Sequence, residues 1–107
     1  MDDDKVIDFA IVGAGVAGTY AAWRLATAPY EDLKELVPRQ ATPPTIRLFE
    51  ASERIGGRLH TERMPGMSAC RAELGGMRFT EDQVLVRSLV AHLQLPCRVF
   101  DYPMRLM

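Results

Sequence analysis

A glycine-rich turn between an apolar run and a helical pattern constrains the fold of this chain most. Residues 13–18 read Gly-Ala-Gly-Val-Ala-Gly, directly after the apolar run Val6–Val12 and directly before an alanine-rich segment. That order predicts a strand, a tight turn and a helix whose N-terminus receives the pyrophosphate of a dinucleotide. We expect Gly13 to allow the turn, Gly15 to let phosphates approach the backbone, and Gly18 to let the helix pack on the strand. One glycine motif is a weak signal, so the rest of the chain has to supply the remainder of the site.

The composition indicates a small globular chain without a strongly charged partner. It has 107 residues, 48% hydrophobic and 25% charged, with a net charge of -1, which is ordinary for a globular protein. We therefore expect neither nucleic acid nor an anionic membrane surface as a partner. No apolar run approaches the ~18 residues that a membrane span needs. Residues 1–5 form an acidic tail that does not resemble a signal peptide, which favours a cytoplasmic location and leaves a secreted one open.

The segments around the first helix predict a βαβ unit with an insertion. Val6–Val12 reads as a buried central strand, and Thr45–Glu50 reads as a second strand. The proline-rich residues 28–45 read as a surface insertion, in which Tyr30–Val37 can form a short helix. A doubly wound domain needs more strands than this chain supplies. We therefore expect residues 6–107 to be the N-terminal part of such a domain, in a larger or multi-chain protein whose substrate domain lies elsewhere.

Turn and helix signals also occur in the second half of the chain. An extended segment is expected to begin near Leu59, and Met64–Met67 reads as a turn. Thr80–Gln83 matches a capping box, with Thr80 as the N-cap of a helix that runs to about Leu95.

Glu50 supplies the second element of a nucleotide site. An acid at the end of the second strand can accept hydrogen bonds from the ribose hydroxyls of an adenosine. Its separation from the glycines exceeds the usual ~20 residues, and the proline-rich insertion accounts for the excess. A carboxylate at this place also disfavours a 2′-phosphate, which argues against NADP.

The third element is the glycine pair Gly56–Gly57 followed by Arg58. Such a pair brings backbone amides close to a ligand, and the arginine adds a fixed positive charge for a pyrophosphate. The run Glu50–Arg58, Glu-Ala-Ser-Glu-Arg-Ile-Gly-Gly-Arg, resembles the second signature of the FAD-dependent amine oxidase family. That family includes monoamine and polyamine oxidases, L-amino-acid oxidases, protoporphyrinogen oxidase and relatives of phytoene desaturase. Together the two signatures imply FAD as cofactor and a Rossmann-like α/β fold, built on a βαβ unit that is incomplete without further chain.

The fourth element is similar to a segment that passes under the flavin in L-amino-acid oxidases. It is the run Glu-Leu-Gly-Gly-Met-Arg-Phe, residues 73–79; monoamine oxidases resemble the Leu-Gly-Gly part but typically lack the Met-Arg pair. The resemblance implies that Gly75, Gly76 and Met77 lie against the isoalloxazine and that Arg78 pairs with the substrate α-carboxylate. A planar guanidinium suits that role because it makes two parallel hydrogen bonds to a carboxylate. A structural salt bridge or a flavin-only contact of Arg78 is the alternative.

The resemblance implies the FAD-binding N-terminal part of an L-amino-acid oxidase, which converts an L-amino acid and dioxygen to a 2-oxo acid, ammonia and hydrogen peroxide. The resemblance implies that Arg78 binds the substrate, and we expect no catalytic residue in this segment, no metal site and no activity in the isolated chain. Partners would be the amino acid, dioxygen and the remaining chain or chains, in an oligomer. An amine or polyamine oxidase, an amino-acid monooxygenase and a non-catalytic FAD-binding subunit are the alternatives. The implied cofactor-binding residues are Gly13, Ala14, Gly15, Val16, Ala17, Gly18, Glu50, Ala51, Gly57, Arg58, Gly75, Gly76, Met77 and Arg78.

The other reactive side chains suggest no further chemistry. Cys70 and Cys97 are too far apart in sequence for a metal or redox motif, and we expect two half-buried thiols, with a disulfide as the alternative in an oxidising compartment. His60 and His92 lack metal-ligand spacing; His92 reads as a partly buried helix residue. Glu53 and Arg54 read as solvated charges of a turn.

Overall fold

The computed structural model describes residues 6–37, 43–67 and 69–100. They form two compact units, one up to Met77 and one from Arg78 on. The acidic tail and the centre of the proline-rich segment lie outside the described residues. In chain order the elements are β1 (Phe9–Val12), α1 (Val16–Thr27), α2 (Tyr30–Leu33), β2 (Ile46–Phe49), β3 (Thr61–Arg63), β4 (Arg71–Glu73) and α3 (Val84–His92).

A parallel pair of strands with one helix packed on it forms the first unit's framework. β1 pairs with β2 from Phe9 opposite Ile46 to Val12 opposite Phe49, and α1 packs on both strands. Two reciprocal hydrogen bonds precede the paired residues. The Thr45 N–H donates to the Asp8 carboxylate at 2.8 Å, and the Asp8 N–H donates to the Thr45 carbonyl at 2.9 Å. This βαβ arrangement confirms the predicted Rossmann-like α/β fold.

β1 is more exposed than the buried central strand that its apolar run predicts. Its residues alternate between half-buried and exposed, and Val12 is 87% exposed. The cause is that α1 covers one face of β1 and β2, while the other described elements provide no comparable cover for the opposite face. An apolar run therefore indicates the strand here without indicating burial on both faces.

The glycine turn has the conformation that its sequence predicts. Gly13 has a φ of +96°, in the left-handed region that side chains other than hydrogen rarely tolerate. A Cβ on Gly18 would overlap the Gly13 carbonyl oxygen and lie 3.4 Å from the Ile11 side chain. Gly18 therefore lets the first turn of α1 lie directly against the glycine turn and the end of β1.

The proline-rich segment contains a short helix, as its sequence indicates. The helix is α2, and the N–H groups of Leu36 and Val37 donate to the Leu33 carbonyl as the helix ends. Leu33 and Val37 are buried. They line a cavity of about 320 Å³. Its other walls come from the end of α1 and the residue after it, from the first residue of α2 and from two prolines: Ala26, Ala28, Tyr30, Pro43 and Pro44.

A small antiparallel hairpin completes the first unit. β3 pairs with β4 from Thr61 opposite Glu73 to Arg63 opposite Arg71. The Met67 N–H donates to the Met64 carbonyl at 3.0 Å, which confirms the predicted turn. The sequence does not predict β4, because a three-residue strand with two charged residues has no apolar pattern.

The predicted capping box of the second unit is wrong in its position. α3 begins at Val84 with Gln83 as its N-cap. Thr80 lies in a turn before the helix: the Gln83 N–H donates to the Thr80 carbonyl, and the Thr80 N–H donates to the Gln83 side-chain oxygen, each at 3.2 Å. The helix ends at His92, which is exposed and not partly buried. It ends before Leu95 because Gln94 adopts a φ of +52°, and the Leu95 N–H then donates back to the Val90 carbonyl.

Gly18 offers a test of the close packing at the glycine turn. Replacing glycine by alanine inside a helix normally stabilises it by ~0.5–1 kcal/mol. We expect Gly18→Ala to destabilise the protein instead, by ~1–3 kcal/mol, because the added methyl group must displace the Gly13 carbonyl. Urea unfolding measures the change. Ala21→Gly, at an exposed position of the same helix, reports helix propensity alone, and a stabilised Gly18→Ala variant would contradict the packing.

Candidate functional site

The carboxyl ends of β1 and β2 bring the glycine turn and Glu50 together. The Gly13 N–H donates to the Phe49 carbonyl at 2.7 Å, which extends the strand pairing into the turn. The Ala14 N–H then donates to Glu50 Oε2 at 2.7 Å. Residues distant in sequence thus form one edge of the sheet, the edge at which open α/β sheets bind ligands.

The Glu50 carboxylate is oriented by Ser52 as well as by Ala14. The Ser52 N–H and hydroxyl donate to Glu50 Oε1 at 2.9 and 2.8 Å. The bond from the Ser52 N–H, followed by those from the Ala14 N–H and the Ser52 hydroxyl, lowers the pKa of Glu50 to about 2. Glu50 is therefore an ionised, fixed acceptor on an exposed edge, which is the chemistry that ribose hydroxyls require.

The N-terminus of α1 supplies the complementary positive end. Gly15 is its N-cap, no side chain caps it, and its first turn contains no acidic residue. The leading N–H groups of a helix have no partner inside the helix, and with the helix dipole they attract an anionic group such as a phosphate. Val16, Ala17 and Gly18 form this first turn.

The second glycine pair packs against the first glycine turn. The Gly56 N–H donates to the Ala14 carbonyl at 2.8 Å, and Gly15 and Gly56 form a parallel bridge. Gly56 and Gly57 have φ values of +108° and +56°. A Cβ on Gly57 would lie 3.1 Å from the Cα of Gly15, so this pair needs glycine for backbone contact within the protein and not only for the approach of a ligand.

Ser52 and Arg54 are structural members of the site that sequence reasoning missed. Besides holding Glu50, the Ser52 hydroxyl contacts the Arg54 carbonyl at 2.9 Å. The Arg54 guanidinium donates to the Gly57 carbonyl at 2.8 Å, so it is not simply a solvated charge. A serine two residues after the acid and an arginine before a glycine pair were the available signals, because local hydrogen bonds to turn carbonyls are common for both.

The run Gly75–Met77 lies beside the segment that contains Arg58. The Gly76 N–H donates to the Arg58 carbonyl at 2.9 Å, and a Cβ on Gly75 would overlap the same carbonyl oxygen. Met77 is 61% exposed, and Arg58 and Ala51 are exposed as well. Every predicted cofactor-binding residue except Arg78 therefore belongs to the first unit.

Arg78 belongs to the second unit, where its guanidinium carbon lies 4.0 Å from the centre of the Phe100 ring. Cation–π stacking of this kind fixes the plane of a guanidinium. Sequence reasoning did not anticipate Phe100, since it is distant from Arg78 in the chain and only the fold brings the two together.

The other candidate side chains carry no additional site. Cys70 and Cys97 are free and exposed, contrary to the expected partial burial. His60 Nε2 lies 2.6 Å from a Glu62 carboxylate oxygen. In the described part of the chain no group of acidic, histidine and cysteine side chains could hold a metal ion, and none of the described helices is long and apolar enough to cross a membrane.

The described residues fit the ADP portion of a dinucleotide. An ionised acceptor at Glu50, the uncapped N-terminus of α1 at Gly15 and a tight turn at Gly13 occur together at one sheet edge. A carboxylate such as Glu50 suits a ribose, a helix N-terminus suits a pyrophosphate, and a tight glycine turn makes the strand-to-helix connection of such a site.

The pH dependence of stability tests the hydrogen bonds to Glu50. Its pKa of about 2 in the folded chain lies below the ordinary value of 4.5. Between these two pH values the unfolded state binds more protons at Glu50 than the folded state does. The hydrogen bonds to Glu50 therefore stabilise the fold fully above its ordinary pKa, and this stabilisation is lost as the pH falls towards 2. We expect Glu50→Gln to flatten this acid limb of the unfolding free energy, measured by urea denaturation at several pH values. Glu53→Gln, exposed in the same turn, should retain the wild-type slope; equal slopes for both variants would contradict the assignment.

Comparison with known proteins identifies the family. Residues 11–93 match the NAD(P)-binding Rossmann-like domain. Achacin of Lissachatina fulica is 38% identical over 90 residues, 79% of this chain and 14% of achacin. Aplysianin-A of Aplysia kurodai is 34% identical over 76 residues, 71% of this chain and 11% of that protein. The L-amino-acid oxidase of Trimeresurus stejnegeri is 36% identical over 91 residues, 85% of this chain and 15% of the oxidase.

The chain thus spans only about a ninth to a seventh of the length of these relatives. The match covers both glycine segments, Glu50 and the run through Arg78. It agrees with FAD as the dinucleotide and confirms the resemblance seen in the sequence. The chain belongs to the NAD(P)-binding Rossmann-like domains and, among them, to the FAD-dependent amine oxidase family.

Proposed function

We propose that this chain forms the ADP-binding part of the FAD site in a flavoenzyme that oxidises L-amino acids. The observation that carries the proposal is the hydrogen bond of 2.7 Å from the Ala14 N–H to the Glu50 carboxylate. It joins the glycine turn to the acid at the carboxyl ends of two paired parallel strands, as a dinucleotide site requires. The similarity to an L-amino-acid oxidase over 85% of the chain supports the substrate class.

Each segment of the first unit would bind a different part of FAD. The exposed Glu50 carboxylate would accept hydrogen bonds from the adenosine ribose, and the N-terminus of α1 would face the pyrophosphate. Arg58, exposed next to the glycine pair, would add positive charge for the phosphates. When bound, FAD supplies the two-electron redox chemistry, and the protein supplies orientation and electrostatics.

The run Gly75–Met77 would contact the flavin ring. It is held to the Arg58 backbone by the Gly76 N–H, which links it to the segment that follows the second glycine pair. Gly75 cannot carry a side chain there without overlapping the Arg58 carbonyl. This contact supports the role of the run because it ties the flavin-facing segment to the same turn that packs on Gly15.

Arg78 would bind the α-carboxylate of the substrate. Its guanidinium is stacked over Phe100, and a guanidinium whose plane is fixed can present parallel N–H groups to both oxygens of a carboxylate. That geometry orients the substrate as well as neutralising its charge, which is how positioning lowers an activation barrier. An amine substrate has no carboxylate for Arg78 to hold.

Flavin content and substrate preference test this proposal. The purified protein that contains this chain should be yellow, with the visible absorbance of bound flavin. A peroxide assay over L-amino acids and simple amines should give product with amino acids. Absence of flavin would overturn the proposal. Activity on amines alone would favour the amine-oxidase alternative, and formation of an amide from the amino acid would favour a monooxygenase. Flavin binding without turnover of either substrate would favour a non-catalytic subunit.

The contribution of Arg78 can be measured by substitution in the active protein. We expect Arg78→Ala to raise KM and lower kcat/KM for L-amino acids by ~2–4 kcal/mol in transition-state free energy, because a charge-assisted bidentate pair is lost. Steady-state kinetics with a good amino acid and with its decarboxylated amine provide the comparison. Arg98→Ala, an exposed arginine of the same unit, is the matched control. An Arg78→Ala variant with wild-type kcat/KM would exclude the carboxylate role.

A further inference from the structure

The Arg54 side chain forms a brace across the turn that follows Glu50. Its Nη2 donates to the Gly57 carbonyl at 2.8 Å. Its Nη1 lies 3.4 Å from the Leu59 carbonyl oxygen and 3.5 Å from that of Ile55. One guanidinium therefore reaches three backbone carbonyls in a segment of five residues, 55–59.

Backbone hydrogen bonds also hold this segment: the Leu59 N–H donates to the Gly56 carbonyl and the Gly76 N–H donates to the Arg58 carbonyl, each at 2.9 Å. Gly56 and Gly57 have no side chains, and both adopt positive φ values, so these two residues are held through their backbone alone. The Gly56 N–H donates to the Ala14 carbonyl at 2.8 Å, which ties the segment to the glycine turn on one side. Arg54 ties it on the other side, through the carbonyls that Gly57 and Leu59 present.

We propose that Arg54 is a positioning residue of the FAD site, which holds the turn 55–59 so that Gly57 stays against Gly15. The proposal rests on the proposed FAD-binding role of the first glycine turn. A Cβ on Gly57 would approach the Gly15 Cα to 3.1 Å, so the two backbones already lie close together. A shift of the 55–59 turn would therefore change the space that the glycine turn leaves for the pyrophosphate.

The side chain of Ser52 connects this brace to the ribose-binding acid. Its hydroxyl contacts both Glu50 Oε1 and the Arg54 carbonyl, at 2.8 and 2.9 Å. The hydroxyl has one proton to share between these two acceptors, and its position places the Arg54 backbone near Glu50, while the Arg54 side chain holds Gly57. The ribose acceptor and the second glycine pair consequently have a common support.

Lysine cannot replace arginine in this brace although it retains the charge. The arginine head carries five N–H donors in a planar fork, whereas the lysine ammonium is a compact point charge on a flexible stem. Arg54→Lys therefore separates two explanations. If Arg54 positions the turn, its function needs the planar guanidinium and is lost in the lysine variant. If Arg54 only attracts a phosphate by its charge, its function is retained in that variant.

The test uses the whole flavoprotein that contains this chain, prepared as apoprotein and titrated with FAD. We expect Arg54→Lys to raise the Kd for FAD about tenfold or more, measured by quenching of flavin fluorescence. Hydrogen exchange should become faster at the Gly56 amide, which bonds to Ala14, in the apoprotein as well. Arg47→Lys, an exposed substitution on β2, should change neither quantity.

Three outcomes would overturn the proposal. A Kd for FAD within about twofold of wild type, with or without a lower Tm of the apoprotein, would leave Arg54 a role in stability alone. A raised Kd with wild-type exchange at Gly56 would mean that Arg54 contacts FAD directly. A wild-type protein that binds no FAD would overturn the proposed function together with this inference, whereas the first two outcomes leave the proposed function intact.

Discussion

The hydrogen bond between the Ala14 N–H and the Glu50 carboxylate is the interaction on which the rest of the site depends. Ala14 is buried, and its N–H lies in a turn between Gly13 and Gly15, beyond the last residue of β1. An unsatisfied buried donor would cost ~1–3 kcal/mol. Glu50 accepts the hydrogen bond from the Ala14 N–H because β2 ends opposite the end of β1, with Val12 paired to Phe49. A register slip of one residue would move Glu50 away and turn its side chain to the other face.

Glycines of both signatures, and Gly75 of the run 73–79, have a structural reason that is independent of any ligand. Gly18 lies against Gly13, Gly57 against Gly15 and Gly75 against Arg58, and in each pair an added Cβ would meet backbone atoms of the partner. Backbone cannot move aside as the end of a long side chain can, so these contacts tolerate glycine alone. The same absence of side chains that permits the packing also exposes backbone N–H groups, and one set of residues can thus serve both the fold and the cofactor.

The sequence predicts the parts of this structure that arise from local patterns. The apolar runs indicate β1 and β2, alanine-rich periodicity indicates α1, and Glu50 is recognised because it directly follows a strand. The sequence does not reveal features that depend on contacts between segments. β4 is recognisable only through its pairing with β3, and the position of α3's N-terminus depends on the turn that Thr80 forms with Gln83. Arg54 belongs to the same class, since its donors reach carbonyls that point towards it only after the turn has folded.

The charge of Glu50 also bears on which dinucleotide the site accepts. Its pKa of about 2 keeps the carboxylate ionised across the physiological range, so the ribose edge of the site carries a permanent negative charge. A 2′-phosphate beside it would place like charges close together, which is electrostatically unfavourable. Ribose hydroxyls, in contrast, donate to such a carboxylate. In the proposed FAD site the two groups of the dinucleotide would therefore meet opposite fields: the hydroxyls would meet Glu50, and the pyrophosphate would meet the positive end of α1 with Arg58 nearby. This separation of charge favours FAD or NAD over NADP, and the resemblance of the second glycine signature, Glu50–Arg58, to FAD-dependent enzymes favours FAD over NAD.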